Sequence, residues 1–340
     1  MSRVAVVFTG GTISMRHDPA AGGNVPVLGG AALLETVPGL DAIADLVAFD
    51  RGLTPASHFT FEALFGISAA VQDALADPAV DGAVVVQGTD TIEETAFFLD
   101  LLHPGPKPVV VTGAMRSASA ADYDGPANLT DAVRVASSAE VGRADVGAVV
   151  VLGGTIEAAD DVTKTHASAF DTFRCLNRGS LGRVADGRIT LLAERGPRRQ
   201  VAADRAAERV FLVVATVSTD GTPITVLHAA GADGFVVAAT GAGNTAPGFL
   251  AAAEAALADG LPVVLATRCP IGAAGAGYAF PGGGATWLRA GAIAAGHLVG
   301  PKARIALALG LGGGLDRAGL AALLADPAPL HDPDWYWGGR

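Results

Sequence analysis

Short, largely apolar runs rich in valine recur along this chain, and each breaks off near a glycine or a polar turn. Residues 4–8, 46–50, 83–87, 108–112 and 148–152 are such runs. Strands that are apolar at nearly every position, with no polar alternation, suit burial on both faces, the condition of a parallel sheet covered by helices. Stretches of helical character lie between them at 60–76, 92–102 and 126–137. The alternation predicts an α/β fold built on a doubly wound, mostly parallel sheet.

The pattern changes past residue 180. Residues 180–192 read as a hairpin around Asp186-Gly187, a two-residue turn signal. Residues 193–209 are polar, rich in arginine and carry Pro197, and read as a linker. Strands are then expected at 210–214, 234–239, 262–267 and 303–309, with helices at 247–258 and 318–325. A length of 340 residues fits two domains. The expected division is a large N-terminal α/β domain at 1–192, the linker at 193–209, a smaller C-terminal α/β domain at 210–330 and a tail at 331–340. The tail holds two of the three tryptophans and shows no period.

Composition narrows the classes of partner. A net charge of −11 argues against a nucleic-acid partner, which calls for a basic stripe. Mean hydropathy is +0.42, yet no stretch of ~20 apolar residues occurs, so no membrane span is expected. The apolar segment 304–311 is short, interrupted by glycine, and reads as a core strand. Met1-Ser2-Arg3 lead straight into the first strand, without the charged and apolar regions of a secretory signal. Cys175 and Cys269 have no metal or redox spacing and read as two buried thiols of a reducing cytoplasm. The histidines are scattered, with no pair at ligand spacing, so no metal is expected.

Two strings carry the chemistry: Thr9-Gly10-Gly11-Thr12-Ile13-Ser14 after the first strand and Gln87-Gly88-Thr89-Asp90-Thr91 after the third. Ligands of open parallel sheets bind outside the carboxyl ends of the strands. Two hydroxyls and a carboxylate delivered there read as groups aimed at one cleft. Taken singly, each string also fits an ordinary βα turn with threonine as helix cap.

Read with their surroundings, the strings resemble the bacterial-type L-asparaginase/glutaminase amidohydrolases, the family with paired threonines. The resemblance rests on these two strings, with the second continuing through Ile92-Glu93-Glu94-Thr95-Ala96. Val111-Thr112-Gly113-Ala114-Met115-Arg116, Asp124-Gly125-Pro126-Ala127-Asn128-Leu129 and Asp161-Val162-Thr163-Lys164-Thr165 follow in order. It spans most of the first two thirds of the chain and weakens toward Leu324.

The resemblance implies hydrolysis of L-asparagine to L-aspartate and ammonia through an acyl-threonine, with no metal or organic cofactor. It implies a homotetramer of intimate dimers with sites at the dimer interface, and a cytoplasmic location is expected. Thr12 is the first candidate nucleophile and Thr89 the second, with Lys164 and Asp90 as its proton-relay partners. Asp90 would also pair the substrate ammonium. Ser57 would hold its carboxylate, unless it caps the helix at 60–76, and the Ala114 carbonyl would orient the leaving amide. Glu93, Glu94 and Asp124-Gly125-Pro126 fit plain helix-start roles.

Two departures stand out. The family's mobile-loop tyrosine has no counterpart in residues 15–26, where Asn24 is the nearest match, and the loop's Gly and Ala content suggests a mobile lid. The family's interface glutamate is also absent from Gly275-Ala276-Gly277-Tyr278-Ala279-Phe280. Tyr278 either substitutes in the neighbouring subunit's site or packs at the interface; Asn244 matches an interface-crossing asparagine. A glutaminase, another small-amide hydrolase or a non-catalytic amino-acid sensor are the rival readings. A tRNA-dependent amidotransferase subunit ranks last, because the chain is acidic and starts at the catalytic strand.

Overall fold

The computed structural model describes residues 1–327; the tail at 331–340 lies outside them. The chain divides into two compact units between Arg198 and Arg199, a break that falls within the segment read as a linker.

The first unit holds twelve strands: β1 (Arg3–Phe8), β2 (Met15–Asp18), β3 (Gly23–Pro26), β4 (Asp45–Asp50), β5 (Gly82–Val86), β6 (Val109–Thr112), β7 (Ala148–Leu152), β8 (Thr155–Ala158), β9 (Val162–Lys164), β10 (Phe173–Cys175), β11 (Gly182–Ala185) and β12 (Arg188–Leu191). Eight of them form one sheet in the order β12-β11-β8-β7-β6-β5-β1-β4. The run from β7 to β4 is parallel, and β8, β11 and β12 extend it antiparallel. The valines of β1, β5, β6 and β7 are shut off from solvent, as expected for strands covered on both faces. Helices Phe61–Ala76, Ile92–Leu102 and Gly125–Ala136 pack on them. From β1 the chain crosses to β4 on one side, and from β5 it moves to β6 on the other. The crevice between β1 and β5 is therefore the switch point of the sheet, where such folds bind ligands.

The second unit carries β13 (Val210–Val214), β14 (Gly234–Ala239), β15 (Val263–Thr267) and the short β16 (Ile293–Ala294), all parallel. Its core gathers Phe235, Phe249 and Trp287 with the valines of the central strands.

The structure departs from the sequence expectations at one element and one side chain. The strand expected at 303–309, and the core strand read at 304–311, are a helix, Gly300–Gly312. Ala303 and Ile305 to Leu309 are all buried. A helix apolar all round has no amphipathic period, so a short window of it looks like a buried strand. Cys269 is only half-buried, unlike Cys175.

Candidate active site

Thr9 continues β1 by donating its amide and its hydroxyl to Val86 of β5, each at 3.0 Å. Gly10 and Gly11 follow with φ of +100° and +95°, a conformation open to glycine and strained for other residues. Gly11 lies directly on the backbone of Gly88, where a Cβ would overlap the Gly88 amide. Thr12 then opens a single 3-10 turn, Thr12–Ser14. The β1 and β5 loops are thus in backbone contact, and Thr12 and Thr89 each stand one residue beyond that contact.

Three other segments meet the same end of the sheet. Thr54 donates its amide to the Thr9 carbonyl at 2.9 Å, and Thr91 Oγ1 donates to the Ala56 carbonyl at 3.2 Å. These bonds seat the turn Ala56–His58, which presents Ser57 exposed. The cap of the following helix is Thr60, which accepts from the Ala63 amide. The capping role considered for Ser57 is therefore taken by another residue.

Gly113, after β6, abuts the Gln87 carbonyl and the Thr89 methyl. Ala114 beside it is buried. Asn128 donates to the Gly113 carbonyl at 3.0 Å and to Asp124 at 2.9 Å, and accepts from the Gly153 amide at 3.0 Å. Asp124 accepts the amides of Met115 and Arg116 at 3.0 and 2.9 Å. Asp124 and Asn128 thus hold the turn that carries Ala114, a role the plain helix-start reading missed. The signal was present in the spacing: an acid and an amide four apart meet on one helix face.

Lys164 ends β9 and reaches back over the β5 loop. Its Nζ donates to Thr89 Oγ1 at 2.9 Å and to Asp90 Oδ1 at 2.9 Å. The lysine side chain is 13% exposed and that of Asp90 73%. Glu93 accepts the backbone amide of Lys164 at 2.7 Å. This bond anchors the strand end independently of the lysine side chain, another function the helix-dipole reading missed. Asp161 fixes the turn ahead of β9 by accepting from the amides of Asn177 and Arg178.

Residues 15–26 form the antiparallel hairpin β2–β3, with His17 opposite Asn24. The hairpin is tied to the 115–124 loop: Ala118 donates its amide to the Met15 carbonyl, and His17 donates its amide to Ser119 Oγ, both at 2.9 Å. His166 is exposed and accepts at Nδ1 from the amides of Ser168 and Ala169, ordering its own loop.

Asn244 and Tyr278 belong to the second unit. Asn244 closes a backbone bridge with Thr240, and its Oδ1 is buried without a hydrogen-bond partner among the described residues. Tyr278 is 40% exposed, its ring 5.7 Å from that of Phe280. No group of three or more His, Cys, Asp or Glu among the described residues is placed to hold a metal ion.

Fold and site together define an α/β protein with a threonine, an aspartate and a lysine bonded together at a sheet switch point. The family model described as "Asparaginase, N-terminal" matches residues 3–196, and that described as "Glutaminase/Asparaginase C-terminal domain" matches residues 209–324. The chain is 37% identical over 325 residues to a "Probable L-asparaginase" of Deinococcus radiodurans, covering 93% of this chain and 95% of that one. It is 33% identical over 283 residues to "L-asparaginase 2" of Escherichia coli, covering 80% of each. The crystal structure titled "Probable Cytoplasmic L-asparaginase" from Campylobacter jejuni superposes with a TM-score of 0.85 at 28% identity, covering 95% of this chain and 99% of that one. The chain belongs to the asparaginase family: it is an L-asparaginase-like amidohydrolase.

Proposed function

We propose that the protein hydrolyses L-asparagine to L-aspartate and ammonia through an acyl-threonine intermediate. The observation that carries this reading is the bridge from Lys164 Nζ to Thr89 Oγ1 and Asp90 Oδ1, set beside the turn of Thr12. Thr12 attacks the side-chain carboxamide. Ammonia leaves as the acyl-enzyme forms, and water attacks that ester in the second half-reaction. The Thr89-Lys164-Asp90 group moves the protons. To take one from Thr89, the lysine first gives one up, and the neighbouring carboxylate stabilises the charged partner of each exchange.

The largely exposed Asp90 pairs the substrate ammonium, Ser57 holds the α-carboxylate, and the Ala114 carbonyl orients the leaving amide. These proposed steps use the chain's own groups and water alone. Asn244 and Tyr278 complete a neighbouring subunit's site in a homotetramer of intimate dimers, and the protein works in the cytoplasm. Among the described residues, no helix is long and apolar enough to cross a membrane.

The test is ammonia release from a panel of amides by the purified protein. L-Asparagine is expected to be turned over, and N-acetyl-asparagine to be a very poor substrate, since it gives Asp90 no cation to pair. Equal hydrolysis of both would remove Asp90 from recognition. Faster release from L-glutamine would make the protein a glutaminase, a distinction of one methylene worth only ~1–3 kcal/mol.

A further inference from the structure

Thr12 sits between two kinds of restraint. On its amino side, Gly10 and Gly11 are free to take many conformations and are held by contact: Gly10 against the backbone of Leu53, Gly11 against that of Gly88. On its carboxyl side, the 3-10 turn is closed by the Ser14 amide donating to the Gly11 carbonyl at 2.9 Å. A single 3-10 turn has poor hydrogen-bond geometry and holds its shape weakly. It needs an external tie.

That tie is Tyr123. Its hydroxyl donates to the carbonyl of Ile13, the residue directly after Thr12, at 2.7 Å across 110 residues of sequence. The phenol is itself well fixed. It comes from the 115–124 loop, whose ends are gripped by Asp124 on the Met115 and Arg116 amides. Asn128 in turn holds Asp124. The ring lies against Gly125, the first residue of the following helix. The rigid path therefore runs from Asn128 through Asp124 and Tyr123 to the nucleophile's own turn.

We propose that Tyr123 is a positioning residue for Thr12, holding the Ile13 carbonyl so that the Thr12 hydroxyl keeps its attack direction. This rests on the reading of Thr12 as nucleophile. The phenol is a donor here and not a proton acceptor: burial, with the charge of Asp124 adding to it, pushes Tyr123 up to about 12. Tyr123 therefore does not do the base's work that a phenol on the 15–26 loop would do. It supplies rigidity to the turn.

Two variants test the tie. Tyr123→Phe keeps the ring and removes the donor. Gly125→Ala leaves the phenol in the sequence but places a methyl where its ring and hydroxyl now lie. A misplacement of about 1 Å costs a reaction on the order of 10²-fold. Both variants are expected to lose roughly that much kcat on L-asparagine, per correctly folded site, with KM within about threefold of wild type. Folded fraction is measured by L-aspartate binding, so that loss of fold and loss of turnover are counted separately.

Wild-type kcat per folded site in either variant would overturn the proposal, as would a loss that falls wholly on KM. Thr12→Ala is assayed alongside. If it retains full activity, the nucleophile reading fails and the positioning role falls with it. If it is inactive while Tyr123→Phe turns over normally, only the positioning role fails.

Discussion

Gly11 and Gly88 pack backbone against backbone, and this contact joins the loops that follow β1 and β5. A side chain at position 11 would overlap the Gly88 amide, and the Gly11 φ of +95° with ψ of −176° is a conformation other residues hold only under strain. Gly88 is in turn close to Ala56, whose Cβ would lie 3.1 Å from a methyl there. Three loops are thus spaced by two residues without side chains. Gly11→Ala is expected to lower stability by about 1–3 kcal/mol from strain and to cut kcat by at least ~10²-fold by pushing Thr12 away from Thr89. Urea unfolding and steady-state kinetics check the two parts separately. A fully active Gly11→Ala enzyme would mean that the spacing is not needed.

Lys164 can be altered without unseating its strand. Its backbone amide, held by Glu93 at 2.7 Å, survives any side-chain change. Lys164→Met is therefore expected to fold normally and to lose about 10²–10⁴ of kcat, the usual contribution of a positioned acid or base. Circular dichroism and ammonia release measure both. A folded Lys164→Met enzyme of normal rate would take the lysine out of the mechanism.

Buried charge ties separate segments of the first unit together. Arg195 donates to Asp100 at 2.7 Å and Asp160 at 3.1 Å, and also to the carbonyls of Val146 and Ala148. All three side chains are nearly closed to solvent. Arg195→Met removes the cation and leaves both carboxylates in place, with Arg198 and Arg178 still reaching one each. Breaking a buried pair from one side costs about 3–5 kcal/mol. A drop of that size in urea stability is expected, and a change below ~1 kcal/mol would show that the remaining arginines suffice.

Acid sensitivity should involve His103. Burial lowers its pKa, and the nearby Arg198 adds to this, while its hydrogen bond to the Lys107 carbonyl and the charges of Asp100 and Asp145 oppose it. The unfolded chain then takes up the proton first as pH falls below the ordinary histidine value of about 6.5. The neutral ring's contribution is complete above that pH and declines below it, so stability falls with acid. His103→Gln should flatten the pH dependence of the unfolding midpoint between pH 7 and pH 5. An unchanged slope would assign that acid loss to other groups.

The sheet was legible because its strands are buried on both faces and so carry valine at consecutive positions. The threonine loops were legible because the glycines that space them leave a fixed signature. The helix Gly300–Gly312 was not, since burial on all sides erases the period that distinguishes a helix from a strand. Asp124 was read only as a helix start, and Asn128 and Tyr123 were given no role, for another reason. Nothing in the local pattern marks their partners, the Met115 and Arg116 amides, the Gly113 carbonyl and the Ile13 carbonyl. Glu93 likewise fits a helix dipole, while its partner is 71 residues away. Local propensity explains why such residues are allowed at a helix start; only the fold shows what they hold.

Thr12 and Thr89 are proposed to act on one substrate from two strand ends. Their joint action is tested most directly by ammonia release from L-asparagine, measured for wild type, Thr12→Ala and Thr89→Val with L-aspartate binding as the check on fold. Each variant is expected to bind L-aspartate, more weakly for Thr89→Val, and to lose several orders of magnitude in turnover, keeping only what binding and orientation supply. Near-normal ammonia release by either variant would contradict the account.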